Sequence, residues 1–234
     1  MQARAPTPDR KAFYQRIDPL NLTPLWEAFS GLITPQPTTP CVPFVWHYDQ
    51  VRPYLMESGQ LISAQEAERR VLILENPGLR GQSSVTHSLY AGLQLVLPGE
   101  VAPCHRHAQS ALRLVLEGHH GYTGVNGERI LMERGDFIIT PPWCWHDHGN
   151  DTSDPVVWLD GLDIPLVKFF DASFIERFEE EQQPATRPSG DAVARYGNNL
   201  LPVGTTRGAP VLYHYPYSRS REALEQMRRN EEWH

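Results

Sequence analysis

Three histidines stand in a frame of glycine and proline that suits a divalent metal. His105 and His107 are separated by one residue and follow Gly99 after a five-residue gap; His146 follows Gly135 and Pro141 and precedes Asn150. On an extended strand, side chains at i and i+2 share a face, so His105 and His107 can project together into one interior. A third imidazole from a neighbouring segment completes one triangular face of a metal. The opposite positions then stay open, which a catalytic metal needs and a structural one lacks. Taken alone, His105 and His107 read equally well as two surface or core histidines; the glycine and proline frame with His146 gives the metal reading its weight.

The elements that must position these side chains are short strands. From Leu89 to Leu159, brief apolar runs are separated by Pro98-Gly99, Glu117-Gly118, Asn126-Gly127 and Gly135-Asp136. Such punctuation predicts an all-β, antiparallel sandwich or barrel. Asn126-Gly127 suits a type I′ turn, which needs positive φ at both central residues, and so pairs Gly121 to Val125 with Glu128 to Met132. Val71 to Leu74 is β-branched and apolar, as a buried strand would be. Ser63 with Glu66 forms a capping box opening a short helix through Arg69 or Arg70. Seven prolines among the first forty residues predict an extended arm with one short helix, capped by Thr23 with Pro24 at its first position. Residues 182–208 are rich in Pro, Gly, Thr and Asn, and a charged helix is expected from Ser220, its polar surface suiting a linker or an oligomer contact.

Composition removes several functions. The net charge of −7, with Lys and Arg scattered, opposes a nucleic-acid partner. No run approaches a membrane span, since Asp160, Asp163 and Lys168 interrupt the apolar stretch 156–170. Residues 1–19 carry no apolar core behind a basic start, so secretion is not expected. Cys41, Cys104 and Cys144 form no close pair, which fits a reducing cytoplasm, and the two near the histidines read as small core residues. His119 and His120 read as exposed hairpin residues, and Trp145 as packing.

The histidine frame resembles the two consensus motifs of the cupin superfamily, whose first motif usually adds a glutamate a few residues after its second histidine. Ala111 or Leu112 stands there instead. The resemblance therefore implies three neutral imidazoles around the metal, leaving the dication its full charge and favouring a chelating dianion such as an aromatic carboxylate with an adjacent phenolate. At finer grain the chain resembles gentisate 1,2-dioxygenases: AERRVLILENPGLRG from Ala67, LYAGLQLVLPGEVAPCHRH from Leu89, SALRLVLEG from Ser110, GDFIITPPWCWHDHGN from Gly135 and VWLDGLDIPL from Val157. Trp143 replaces the superfamily's glycine, and the HDHG run after Trp145 is peculiar to this group. The likeness runs from about Pro24 to Trp233.

That resemblance implies a cupin double-stranded β-helix, or jelly-roll, barrel in residues 81–175. Residues 1–80 would be an arm with short helices packing on the barrel, and 176–234 an extension with a C-terminal helix towards a second cupin that the family usually has and this chain lacks. It implies Fe(II) on His105, His107 and His146, and conversion of gentisate with O2 to maleylpyruvate. Arg113 would hold the substrate carboxylate through its planar fork; Gln94, Tyr90 and Arg69 match positions lining the substrate pocket. His148 and Asp160 would act beside the metal, in proton transfer or orientation. Each keeps an alternative: Arg113 and Asp160 as surface charges, Gln94 as a backbone partner, Tyr90 as core, Arg69 as an exposed residue beside a working Arg70, and His148 as structural. Related functions stay open too, namely salicylate or 1-hydroxy-2-naphthoate dioxygenase, or a silent carboxylate-binding module. The family further implies a homo-oligomer, a tetramer.

Overall fold

The computed structural model describes residues 5–197 and 212–230, and contacts divide the chain into two units, Met1–Pro40 and Cys41–His234. The first unit is more helical than its prolines suggest. Helix α1 (Pro8–Ile17) starts where Thr7 accepts the Arg10 N–H at 3.4 Å and Pro8 takes the first position, where its missing N–H costs nothing. Helix α2 (Leu25–Leu32) follows, joined to α1 by the Tyr14 hydroxyl, which donates to Glu27 and accepts from the Trp26 indole at 2.9 Å. The expected Thr23 cap is absent: Pro24 is itself the cap residue and makes no side-chain hydrogen bond.

The second unit carries the sheets. Helix α3 (Tyr48–Leu61) contains Pro53, which hid it from a sequence reading, and helix α4 (Ala64–Ala67) is capped by the Ser63 hydroxyl on the Glu66 N–H at 3.1 Å. Helix α4 stops before Arg69 because Glu68 takes a positive φ of 55°, and Arg70 turns inward to Glu100 at 2.8 Å. Strands β1 (Val71–Ile73), β2 (Tyr90–Val96), β3 (Val101–His107), β4 (Ala111–Glu117), β5 (His119–Val125), β6 (Glu128–Glu133), β7 (Phe137–Thr140), β8 (His146–Gly149) and β9 (Val156–Leu162) follow. Then come α5 (Ile164–Phe169), β10 (Ile175–Arg177), α6 (Asp191–Tyr196), β11 (His214–Tyr215) and α7 (Tyr217–Asn230).

Two antiparallel sheets result, β1-β2-β9-β4-β7-β11 and β10-β3-β8-β5-β6. Residues outside 81–175 thus contribute strands on both sides, β1 before and β10 and β11 after. β1 is an edge strand, with Ile73 exposed, not the buried strand its composition suggests. The β5–β6 hairpin turns at Asn126 and Gly127, with φ of 45° and 82°, as the type I′ reading requires. The last helix opens three residues before the expected Ser220. Residues 198–211, most of which belong to the weakly patterned stretch, and 231–234 lie outside the described residues.

Parity along the strands builds two cores. Val96, Val115, Val125, Ile130, Met132, Ile138, Val156 and Trp158 fill one end of the space between the sheets. Leu93, Leu95 and Val157 point the other way, under Leu55 of α3. The remaining inward positions are polar, and they form the site. No helix among the described residues is long and apolar enough to cross a membrane.

Candidate metal centre

His105 of β3 pairs across the ladder with His146 of β8, and His107 follows two residues on, so antiparallel register brings three imidazoles to one wall. Their ring centroids lie 4.6, 4.8 and 5.3 Å apart, and one ligand nitrogen from each falls within 4.8 Å of the others. No carboxylate belongs to this group. Two of the rings are oriented from behind: His107 Nδ1 sits 2.9 Å from the Gln109 carbonyl and His146 Nδ1 2.9 Å from the Cys144 carbonyl. A carbonyl only accepts, so each Nδ1 carries the proton and each Nε2 keeps its lone pair. Burial, then the positive charge of Arg69, pushes His105 down to about 2, and burial followed by Arg113 holds His146 well below its ordinary value. Neutral imidazole is the ligating form, so the donor set fits a divalent metal. Cys104, buried beside His105, has its thiol pushed up to about 12, chiefly by burial, as befits a core residue.

His148 is fully buried on the face of β8 that carries His146. The Thr123 hydroxyl donates to the Asp147 carbonyl at 3.2 Å and lies 2.8 Å from His148 Nδ1. His148 Nδ1 is thus partnered, whereas its Nε2 is buried without a hydrogen-bond partner.

The other sheet supplies the facing wall. Arg113 of β4 and Asp160 of β9 are cross-strand neighbours, and Asp160 also lies opposite Gly92 of β2. A Cβ on Gly92 would come within 2.4 Å of Val71 and 3.0 Å of the Tyr90 hydroxyl, so glycine is needed where these side chains converge. Arg113 is 3% exposed and donates to Thr140 Oγ1 at 2.6 Å. Its Nε approaches Asp160 Oδ1 at 3.4 Å as an ion pair, yet neither atom has a hydrogen bond. Burial raises the Asp160 carboxyl to about 6, against the pull of Arg113. Among the described residues, seven buried side-chain atoms lack a hydrogen-bond partner, and four are Gln94 Nε2, Arg113 Nε, His148 Nε2 and Asp160 Oδ1. An orphan of this kind costs about 1–3 kcal/mol, so four on inward faces of the two sheets mark a place built for a polar ligand.

Arg69 reaches the centre from the turn after α4: its Nη2 is 3.4 Å from His105 Nε2 and its Nη1 donates to the Glu68 carbonyl at 2.9 Å. Arg70 is instead held by Glu100 and the Ile62 carbonyl. A cavity of about 350 Å³ touches Arg69 and His105 and is bounded by Arg177 and Glu179 to Glu181; Arg113 and Gln94 do not line it. Tyr90, half-buried, has its phenol pushed upward by burial and then Asp160. Sequence reasoning missed Thr123 and Thr140, which pair with His148 and Arg113 across strands distant in sequence. It also missed Arg106, which points away from the triad and stacks on Trp143 and Trp145 at 4.5 and 4.4 Å while pairing with Glu176 at 2.7 Å.

Two facing antiparallel sheets with a three-histidine centre define a metal-binding cupin, and the cupin domain model matches residues 92–162. More narrowly, the chain belongs to the gentisate 1,2-dioxygenase family. It is 55% identical to gentisate 1,2 dioxygenase 1 of Aquipseudomonas alcaligenes over 98% of its length and 67% of the relative's. It is 42% identical to gentisate 1,2-dioxygenase of a Ralstonia species, over 91% of this chain and 60% of that one. Among solved structures, salicylate 1,2-dioxygenase of Pseudaminobacter salicylatoxidans superposes with a TM-score of 0.87 at 34% identity, covering 96% of this chain and 65% of that one. A variant of that enzyme was solved with gentisate and gives a TM-score of 0.88 at 35% identity, over 97% of this chain and 65% of that chain. The chain thus spans about two thirds or less of the length of these relatives.

Proposed function

We propose that the chain cleaves the ring of gentisate, 2,5-dihydroxybenzoate, with dioxygen to give maleylpyruvate, using Fe(II) held by His105, His107 and His146. The bond between the carboxyl-bearing and 2-hydroxyl carbons breaks, and both oxygen atoms enter the product. Bound iron(II) supplies a chelation point for carboxylate and phenolate and the redox partner that dioxygen needs. The protein does the rest. Arg113, and Arg69 at the rim, bind and orient the carboxylate; Gln94 donates from its unpartnered amide; Tyr90 bounds the ring; Asp160 orients Arg113. His148 takes a proton from a substrate hydroxyl at Nε2 and returns it later. Three unpartnered polar atoms on the wall facing a carboxylate-free imidazole triad, with a fourth on His148 beside it, are the observation that carries this reading. In the same reading the two sheets form one cupin barrel centred on residues 81–175, the protein works in the cytoplasm as a homo-oligomer, and neither nucleic acid nor membrane is a partner.

Anaerobic loading with Fe(II), then gentisate and air, tests it. Expected is one O2 consumed per gentisate, with the near-ultraviolet absorbance of an enolised keto acid. Folded, iron-loaded protein that consumes none leaves the silent carboxylate-binding module as the better reading. Faster turnover of salicylate than of gentisate moves the substrate to the monohydroxylated acid, the substrate for which the structural relative is named.

A further inference from the structure

A second group of ligands sits at the open end of the β5–β6 hairpin. His119 and His120 begin β5, and Glu133 ends β6. Successive strand residues ordinarily face opposite ways, yet these two imidazoles lie together. The register of β5 on β6 shifts between His119 and Gly121, and His120 adopts φ of 62°, a left-handed conformation that a side chain of this size rarely takes. The rings consequently stack with centroids 3.8 Å apart. Glu133 addresses both, one carboxylate oxygen against His119 Nδ1 and the other 3.1 Å from His120 Nε2. One nitrogen from each ring and a carboxylate oxygen fall within 4.8 Å of one another. The Glu133 backbone is itself fixed, its N–H donating to Asp136 Oδ2 at 3.0 Å.

We propose that His119, His120 and Glu133 form a second, exposed site for a divalent transition-metal ion of the zinc or copper type, separate from the buried triad. A carboxylate only accepts hydrogen bonds, so without a metal each facing imidazole nitrogen must present a proton to it. One divalent ion replaces both protons, keeps the rings neutral, and takes two nitrogens and an oxygen, a donor set suited to zinc and bound more tightly still by copper(II). The bulge and the left-handed His120 are the backbone features that turn an alternating pair into a chelating one. All three side chains are solvent-accessible, which leaves room for water to complete the coordination sphere.

Titration calorimetry with Zn2+ on chain whose triad is already loaded with iron tests this. Expected is one further equivalent, weakened at least tenfold in His119→Gln and in Glu133→Gln. His120→Asn keeps a residue tolerant of positive φ and is expected to lose the same equivalent. Cu2+ should broaden the ring-proton resonances of His119 and His120 before any others. These exposed substitutions should leave iron content and oxygen uptake unchanged, separating a lost surface site from a misfolded chain. No additional equivalent in the parent protein overturns the proposal, as does one that survives both His119→Gln and Glu133→Gln.

Discussion

At the scale of single residues, the site is a matter of which groups the fold keeps neutral and which it leaves charged. The imidazoles are held neutral by burial and by two arginines, and on the proposed reading an anionic substrate would meet the charge of Arg113 and Arg69 with that of the metal. Arg113→Ala is expected to lower kcat/KM by about 2–4 kcal/mol, mostly through KM, because a desolvated charge pair with the carboxylate is lost. Iron content should not change; parallel loss of iron would make Arg113 structural. Asp160 gives a stability prediction of definite sign. Its folded pKa of about 6 lies above the ordinary 3.8, so its contribution is fully present below about pH 4 and fades as pH rises through 6. At 1.36 kcal/mol per unit the swing is at most about 3 kcal/mol. The buried histidines act oppositely, losing stability as pH falls through their unfolded value near 6.5. Asp160→Asn therefore isolates the carboxyl: urea unfolding of the metal-free chain at pH 4 and 7 should show the variant gaining on the parent at pH 7. An unchanged difference between the two pH values would remove the buried-carboxyl interpretation.

At the scale of elements, what the sequence discloses is what is local. The Asn126-Gly127 turn, the Ser63 cap and the i, i+2 histidines are set by a few adjacent residues, and all three hold in the structure. What it hides is non-local or runs against propensity. Pro53 inside α3 masks a helix whose Leu55 is buried by packing on β2 and β9, and Glu68 ends α4 through a backbone conformation that the residue type does not advertise. The Thr123 and Thr140 partners depend on ladders joining β5 to β8 and β4 to β7, which no spacing reveals. Arg106 belongs here also. Lying between two proposed ligands in sequence, it ties β3 to β10 through Glu176 and to the turn before β8 through two tryptophans. Arg106→Ala is expected to destabilise the chain by about 1–2 kcal/mol and to speed metal loss during dialysis against a chelator, since the turn carrying His146 loses its anchor. Metal retention equal to that of the parent would show that the clamp does not position His146.

At the scale of the whole molecule, the division of labour follows from the two sheets. One contributes the imidazole triad and His148, the other Arg113, Asp160 and Gln94, so an aromatic acid between them would meet metal on one side and a carboxylate clamp on the other. The sequence motifs identify both sets, but only the sheet order places them on opposing walls. Relatives extend well beyond this chain, of which it matches 67% and 60% in the two gentisate enzymes, yet every proposed site residue lies within it. The most direct test of the triad is iron K-edge X-ray absorption on the reconstituted, metal-quantified chain before and after anaerobic gentisate. Expected is one iron per chain with a first shell that contains three imidazole nitrogens, and added oxygen scattering from a chelating substrate. Fewer than three imidazoles, or a first shell indifferent to gentisate, would contradict the open three-histidine centre.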